Sequence, residues 1–205
     1  MTRRKRLFDL VVGVLMALLV APVLIGLLFV VLIREGRPVL HASERMKGRD
    51  HAFWMWKIRT MEPDAQNDEV AGGHNAARVT NTGRWLRKRR LDELPQIWNV
   101  LKGDMTLVGP RPPLRRYVAR FPVLYEQVLA SRPGVTSLAA LNFVPHEERL
   151  LARCMTSSKT DEVYERFCVR RKAQVDLIYQ KHGSLLFDLC VIWRTGVAFF
   201  GGFSR

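Results

Sequence analysis

Cysteine is scarce in this sequence, and the few cysteines do not have the spacing of a metal site or a redox motif. Cys154, Cys168 and Cys190 are far apart in the chain, with no CxxC pair. The five histidines show no HxxxH or other ligand spacing. These absences argue against a structural zinc site and against a disulfide framework. They predict reduced thiols that face the cytoplasm.

Acidic residues are also few in comparison with basic ones. The 205 residues include 33 Lys or Arg and 19 Asp or Glu, so the formal net charge is +14 and the isoelectric point is about 10.5. Such an excess indicates an anionic partner, which is nucleic acid, anionic lipid or a phosphorylated substrate. The alternative from composition alone is a solvated basic surface without a specific partner. Internal repeats and long low-complexity tracts are absent from the sequence. The length suits one domain with a hydrophobic core, or a small domain together with a membrane element.

One long stretch, from Leu10 to Ile33, has no charged side chain. Its length of about 24 residues is enough to cross the hydrocarbon core of a bilayer, and it is longer than the apolar region of a signal peptide. Pro22 lies in its middle, where it removes a backbone hydrogen bond. Basic residues flank both sides, and the positive-inside rule places both flanks in the cytoplasm. We expect the helix to break near Ala21–Pro22 and return as a re-entrant hairpin, with a straight span as the alternative.

The remaining chain predicts an α+β fold that is mostly helical and contains a small sheet. Apolar and aromatic residues on both sides of the KGRD turn predict a β-hairpin. The polar segment 62–77 is expected to be a mobile loop or lid. The apolar C-terminal segment, interrupted by Asp188 and Arg194, suits a helix in the membrane interface or a core helix. Helical patterns occur near residues 83–90, 93–102, 113–130, 145–155 and 160–181.

Two adjacent carboxylates, Asp92 and Glu93, follow a basic run and precede Pro95. Asp92 is a good N-cap, Pro95 is tolerated in a first helical turn, and Gly103 suits the position after a helix end. Segment 92–103 is therefore predicted to be a helix, and capping alone would explain the acids. Paired carboxylates beside cations also suit Mg²⁺ that bridges to a pyrophosphate. In such a site an ionised aspartate can attack phosphorus as a nucleophile.

The same residues carry a resemblance to a known family. The segment RRLDELPQIWNVLKGDMTLVGPRP, with KIRTM before it and RPGVTSLAALN after it, resembles the bacterial sugar transferases, the small monotopic polyprenyl-phosphate phosphoglycosyl transferases. The resemblance extends over nearly the whole chain, from KRLFDL to SLLFDL. It implies transfer of a sugar-1-phosphate from a UDP-sugar to polyprenyl (undecaprenyl) phosphate. UMP and a polyprenyl diphosphate sugar would be the products, in the first membrane step of a bacterial glycan pathway.

The resemblance also implies where the protein acts. A re-entrant helix at 1–36 would insert into the bacterial inner membrane, with membrane lipids as partners. A catalytic domain at 37–205 would lie on the cytoplasmic face, with its C-terminal helix in the membrane interface. A homodimer is also among the expected partners. The sequence by itself does not determine the oligomeric state. The sequence also does not determine which sugar is transferred.

Roles follow from the residues that match the family motif. Asp92 matches the nucleophile that forms a covalent aspartyl-phosphosugar intermediate. Glu93 matches the partner that binds Mg²⁺, with Asp92 beside it in the metal site. Pro22 matches the helix-breaking proline. The expected substrate-binding residues are Arg87, Arg111, Lys57, Arg59, Arg132 and Asp176.

Three positions depart from the family pattern. Ala21 stands where the family often has Ser before the helix-breaking proline, so a hydroxyl that could bond the backbone is missing. Ser137 and Ala140 stand where Gly and Gln are common after the PGxT motif. Sugar or product contacts at these two positions are therefore not carried over to this chain.

Two other functions are compatible with the net charge. One is a membrane-tethered nucleic-acid-binding protein, and the other is a non-enzymatic scaffold held at the membrane. Aromatic residues do not interleave with the basic runs as stacking platforms would, and no nucleic-acid motif occurs. Neither alternative needs the adjacent Asp92 and Glu93. We therefore expect an enzyme with no nucleic-acid partner.

Overall fold

A computed structural model of the protein describes residues 2–62, 78–154 and 156–201. It is mostly helical with small two-stranded sheets, as expected. The loop expected at 62–77 lies, apart from its first residue, outside the described residues. The described elements are α1 (Arg3–Glu35), β1 (Leu40–Met46), β2 (Ala52–Ile58), α2 (Asn81–Lys88), a 3₁₀ turn (Leu91–Glu93), α3 (Gln96–Lys102), β3 (Thr106–Val108), α4 (Arg115–Arg120), α5 (Pro122–Val128), β4 (Gly134–Thr136), α6 (Leu138–Leu151), α7 (Ser157–Val163), a π-helical segment (Tyr164–Val169), α8 (Arg170–His182) and α9 (Leu185–Gly201).

Helix α1 is 33 residues long, and within the described residues it is the one helix long and apolar enough to cross a membrane. Thr2 caps its start, because its side chain accepts a hydrogen bond from Lys5 N at 3.2 Å. The helix continues through Pro22. The prediction that the helix is interrupted at Ala21–Pro22 is therefore wrong. In the middle of the helix large apolar side chains are exposed, and Leu19 reaches 77%.

Both ends of α1 are anchored on the rest of the domain. Near the start, Asp9 is fully buried, and its carboxylate accepts a hydrogen bond from Thr106 Oγ1 at 2.5 Å. A buried carboxylate needs such donors to offset its loss of water. Near the end, Val31 is fully buried in a hydrophobic cluster with Ile58 and Leu86. One domain therefore holds both ends of the apolar helix.

Strands β1 and β2 form the antiparallel hairpin predicted around the KGRD turn. Residues directly opposite each other in such a pair share one face of the sheet. Arg45 lies opposite Phe53, and Lys57 lies opposite His41. Both cations therefore lie on the face that Phe53 and Met55 bury in the core. This face is the one that the acidic turn approaches.

Asn99 fixes α3 against β2. It is 1% exposed, its side-chain amide donates to Trp54 O at 2.8 Å, and its side-chain oxygen accepts from Trp56 N at 3.2 Å. The helix ends at Gly103, whose φ of 96° lies in the left-handed region and whose N–H donates to Asn99 O. The predicted C′ role of Gly103 is confirmed.

A second sheet, which the sequence did not predict, positions the GPRP loop. Strands β3 and β4 pair in parallel, and each is only three residues long. Gly134 N donates to Pro110 O at 2.8 Å. A Cβ atom at Gly134 would stand 2.1 Å from Gly109 N, so this approach requires glycine. The close contact fixes the start of the loop that carries Arg111.

Two predicted helices differ from the expectation. Segment 113–130 contains two helices rather than one, because Phe121 has non-helical dihedrals (φ −127°, ψ 58°) and Pro122 starts the next helix. Helix α9 buries Val191 but leaves Leu186 and Trp193 about three-quarters exposed, at 75% and 74%. A fully buried core helix is therefore excluded at α9.

Candidate active site

The acid pair lies on the 3₁₀ turn Leu91–Glu93, one turn before α3. Arg90 precedes the turn in a left-handed conformation (φ 48°), which costs an L-residue roughly 1–2 kcal/mol. Helix α3 begins at Gln96, and no side chain caps it. The predicted N-cap role of Asp92 is therefore wrong. The turn presents the two acids to the hairpin, not to the helix.

Glu93 is held as an anion by three cations. Its Oε1 accepts from Lys57 Nζ at 3.0 Å and from Arg111 Nη2 at 2.7 Å, and its Oε2 accepts from Arg90 Nη2 at 3.2 Å. Burial by itself would raise the pKa of Glu93. The charges of Arg111, Lys57 and Arg90 outweigh burial and hold that pKa well below its usual range. Glu93 therefore stays ionised at any physiological pH.

Asp92 has different surroundings, although it is adjacent. It is 7% exposed, and no described residue donates a hydrogen bond to its carboxylate. Burial raises the pKa of Asp92, Lys57 opposes that shift, and the negative charge of Glu93 adds to it. A carboxylate without hydrogen-bond donors is more nucleophilic than one fully engaged in ion pairs. The two acids are therefore suited to different tasks.

Arg87 approaches the acid pair from α2. Its Nε donates to Thr60 Oγ1 at 2.8 Å, and its positive charge acts on Asp92. This bond orients the guanidinium. The other two nitrogens of the guanidinium have no hydrogen-bond partner among the described residues. Lys57, Arg87 and Arg111 are thus brought together around Asp92 and Glu93.

Two other residues expected in the same pocket lie elsewhere. Arg59 is 7% exposed and donates through Nη2 to Glu35 O at 2.5 Å and to Gly36 O at 3.0 Å, so it holds the C-terminal end of α1. Arg132 lies beside Gly103, at the end of α3 remote from the acid pair. Substrate binding by Arg59 and Arg132 stays a prediction, because the structure does not bring them to Asp92.

Asp176 lies in α8 and is buried without a hydrogen bond to its Oδ1. Burial raises its pKa to about 7, and the charge of Lys172 opposes this shift. Lys172 donates to Glu147 Oε2 at 2.7 Å and lies 5.3 Å from the centroid of the Tyr164 ring. Asp176 therefore lies within the influence of the Lys172 charge, and its predicted role with substrate stays a prediction.

Replacing Asp176 with Asn is expected to stabilise the folded protein at alkaline pH. A raised pKa means that the folded state favours the protonated acid, so its stabilising contribution is complete below the usual value of 3.8 and is lost as pH rises through about 7. Asn does not ionise, so at pH 8 it should raise the free energy of unfolding by up to about 4 kcal/mol. Thermal unfolding in detergent at pH 4 and pH 8 measures this. An equal shift at both pH values would contradict it.

Two further cations at this site, Arg90 and Arg45, were not predicted from the sequence as site residues. Arg90 was one residue in a basic run, and only the turn geometry aims it at Glu93. Arg45 lies on the same hairpin face as Lys57, and the charges of Arg111 and Glu93 act on it. The alternation of the hairpin register could have indicated Arg45, since it points to the face that carries Lys57.

The residues present suit a Mg²⁺ ion whose remaining ligands come from the substrate and water. Among the described residues no cluster of three or more His, Cys, Asp or Glu side chains could form a cage for a metal. Both oxygens of Asp92 are without described donors, and Oε2 of Glu93 accepts only from Arg90. Mg²⁺ is commonly bound by one or two carboxylates together with waters and substrate phosphates. Asp92 and Glu93 can supply those two carboxylates.

Fold and site together define a class of protein. A long apolar helix, consistent with membrane anchoring, is docked on a domain in which two adjacent carboxylates lie among five cations. Such a site suits a substrate that carries phosphate. The chain belongs to the bacterial sugar transferase family, whose family model matches residues 1–202.

Several curated relatives have similar sequences. The undecaprenyl-phosphate galactose phosphotransferase of Salmonella typhimurium is 30% identical over 207 residues, which cover 93% of this chain and 39% of the relative. The UDP-N-acetylgalactosamine-undecaprenyl-phosphate N-acetylgalactosaminephosphotransferase of Aeromonas hydrophila is 31% identical over 209 residues, which cover 98% of this chain and 44% of the relative. The UDP-glucose:undecaprenyl-phosphate glucose-1-phosphate transferase of Caulobacter vibrioides is 34% identical over 197 residues, which cover 94% and 68%. The chain thus spans about two fifths of the first two relatives.

Proposed function

We propose that this protein transfers a sugar-1-phosphate from a UDP-sugar to polyprenyl (undecaprenyl) phosphate and releases UMP. The observation that carries the proposal is the buried Asp92 carboxylate, which no described residue binds and which adjoins the cation-bound Glu93. Relatives whose names specify undecaprenyl-phosphate sugar phosphotransfer support the substrate classes. Those names specify galactose, glucose and N-acetylgalactosamine, so the sugar remains unassigned.

The reaction proceeds in two displacements under this proposal. An oxygen of Asp92 forms a bond to the β-phosphorus of the UDP-sugar, and the bond from that phosphorus to the bridging oxygen breaks, so UMP leaves with the electron pair. A phosphate oxygen of the polyprenyl phosphate then attacks the same phosphorus. The bond to Asp92 breaks, which restores the carboxylate and yields the polyprenyl diphosphate sugar.

The surrounding cations lower the barriers to both displacements. Arg87 and Lys57 lie where they offset the charge on the phosphate that is attacked, and they are fixed by Thr60 and Glu93 before substrate binds. Asp92 and Glu93 would hold Mg²⁺, which supplies charge neutralisation at the diphosphate. Glu93 has a second effect, because it fixes Lys57 and Arg111 around the site.

Release of UMP tests the reaction directly. Purified protein, polyprenyl phosphate and a panel of UDP-sugars should give UMP with at least one donor, and a polyprenyl diphosphate sugar should appear in equal amount. UMP formation should require the lipid phosphate after the first turnover. Absence of UMP with every donor in the panel, from protein shown to be folded, would count against this function.

We further propose that α1 is re-entrant and that the domain lies on the cytoplasmic face of the inner membrane. A helix that crosses the bilayer has its ends on opposite sides, whereas one domain here binds Asp9 near the start of α1 and Val31 near its end. Pro22 lies between these anchors, where the missing hydrogen bond allows a bend. The exposed apolar side chains in between, such as Leu19, would contact lipid tails.

Cysteine labelling in intact cells measures this topology. Single cysteines at Thr2 and at Asp50, in a chain that lacks the three native cysteines, should both be protected from a thiol reagent that does not cross the inner membrane. Disruption of the membrane should expose both, since each position is exposed in the fold. Labelling of the Thr2 position alone in intact cells would establish a straight span instead. Replacing Pro22 with Leu should raise that labelling, because a straight helix is then favoured.

A further inference from the structure

Arg45 is a partly buried cation that has no role in the mechanism above. It shares a hairpin face with Lys57, which binds Glu93 at 3.0 Å. Arg45 therefore extends the cationic surface of the site along β1, beyond the acid pair.

The backbone brings Arg45 next to the loop that carries Arg111. Met46, which follows Arg45, donates its N–H to Pro113 O at 3.0 Å. The segment after Arg111 thus runs along the end of β1. Burial, together with the positive charge of Arg111, lowers the pKa of Arg45 to about 10. The two guanidiniums carry like charges that repel each other in this partly buried site.

Arg111 has a carboxylate partner, whereas Arg45 has none among the described residues. The Nε of Arg45 lies 3.4 Å from Ser43 Oγ, to which it donates. This contact orients the guanidinium and leaves its two Nη groups without a described acceptor. An anion bound between Arg45 and Arg111 would remove their repulsion, and a planar guanidinium fork matches the geometry of phosphate.

The position of Arg45 indicates which phosphate it meets. Lys57, which contacts Glu93, lies opposite His41 in the hairpin, and Arg45 lies four residues further along β1 on the same face. Arg45 is therefore further along the hairpin from the acid pair than Lys57 is, and it lies beside the segment that follows Arg111. In a diphosphate, the attacked phosphorus adjoins Asp92 and the other phosphate lies further along the site.

We propose that Arg45, together with Arg111, binds the phosphate of the UDP-sugar that leaves as UMP. This inference rests on the proposed function. When Asp92 bonds to the β-phosphorus and the bridging bond breaks, negative charge moves onto the UMP phosphate, where the two guanidiniums stabilise it. Arg45 has no substrate phosphate to hold in the second displacement, because UMP has already left.

Equilibrium binding of UMP and of uridine, which lacks the phosphate, tests this role. With full-length protein in detergent, Arg45→Ala should weaken UMP binding by about 10- to 100-fold and leave uridine binding unchanged. Arg45→Lys should give an intermediate loss, because it keeps the charge but loses the fork. Arg49→Ala is the matched control, since Arg49 is exposed in the turn of the same hairpin and its loss should change neither affinity.

The two half-reactions separate Arg45 from a general effect on the site. Adduct formation from the UDP-sugar should slow in Arg45→Ala, whereas discharge of a preformed adduct by polyprenyl phosphate should keep the wild-type rate. An unchanged ratio of UMP to uridine affinity in a folded Arg45→Ala protein would overturn the assignment while leaving the proposed function intact. If wild-type protein releases no UMP, the proposed function fails, and this assignment fails with it.

Discussion

Asp92→Asn is expected to abolish both the covalent adduct and turnover. Wild-type protein incubated with a UDP-sugar alone should gain the mass of one sugar phosphate, and polyprenyl phosphate should remove that mass. Asn is almost isosteric with Asp, but its amide does not attack phosphorus. The loss of turnover should be at least about a thousandfold. Intact-protein mass spectrometry of rapidly quenched samples measures the adduct, and UMP release measures turnover.

Asp50→Asn is the control for this experiment. Asp50 lies exposed in the hairpin turn, so its replacement removes one carboxylate without changing the site, and wild-type activity is expected. An adduct that still forms in Asp92→Asn would assign the nucleophile to another residue. Wild-type turnover without any adduct in rapidly quenched samples would favour direct transfer, with Asp92 as a metal ligand.

Removal of divalent cations is expected to abolish turnover, and among the expected effects only that of Asp92→Asn is larger. Two carboxylates and a diphosphate place several negative charges together, and the fixed cations are already partly paired with Glu93. EDTA should therefore stop UMP release, and added Mg²⁺ should restore it. Full activity in EDTA would eliminate the metal role proposed for Asp92 and Glu93.

Glu93→Gln should cost both activity and stability. The neutral amide leaves Lys57, Arg90 and Arg111 without their common anion, and removing one partner of such a partly buried ion pair costs at most about 3–5 kcal/mol. Asp104→Asn is a suitable comparison, because Asp104 is also largely buried and pairs with Lys47 at 2.6 Å, outside the site. Both variants should lower the thermal midpoint, but only Glu93→Gln should raise the Mg²⁺ concentration needed for half-maximal activity.

The pH dependence of the free energy of unfolding should also report the ionisation of Glu93. Its pKa is depressed in the folded state, so its ion pairs stabilise the fold above the usual value of 4.5, and this contribution is lost as pH falls through the depressed pKa. The stability difference between wild type and Glu93→Gln should therefore be full at neutral pH and shrink in strong acid. Asp176→Asn should show a difference of opposite sign, since the pKa of Asp176 is raised: the variant should be more stable than wild type at pH 8, and this difference should also shrink as the pH falls.

Short-range patterns predicted much of this fold. The uncharged run predicted α1, the KGRD turn predicted the β1–β2 hairpin, and Gly103 marked the end of α3 correctly. These features depend on backbone preferences and on hydrophobic periodicity within a few residues, which a single sequence contains. The parallel β3–β4 pair was not predicted, because strands of three residues have no clear period and their pairing depends on Gly109 and Gly134 meeting across 25 positions.

The sequence by itself determined which residues can carry the chemistry: the adjacent acids, the basic run before them and the arginine in the GPRP loop. Only the tertiary structure decided which contacts, and therefore which role, each of these residues has. Glu93 takes three cations because the hairpin, the turn and the loop converge on it, and Asp92 is left without a described donor. Arg59 and Arg132 have the same charge as Arg111, yet Arg59 binds the C-terminal end of α1 and Arg132 lies beside Gly103 at the far end of α3. Charge is a property of the residue, whereas the free energy of an ion pair depends on distance and burial, and the packed structure alone fixes both.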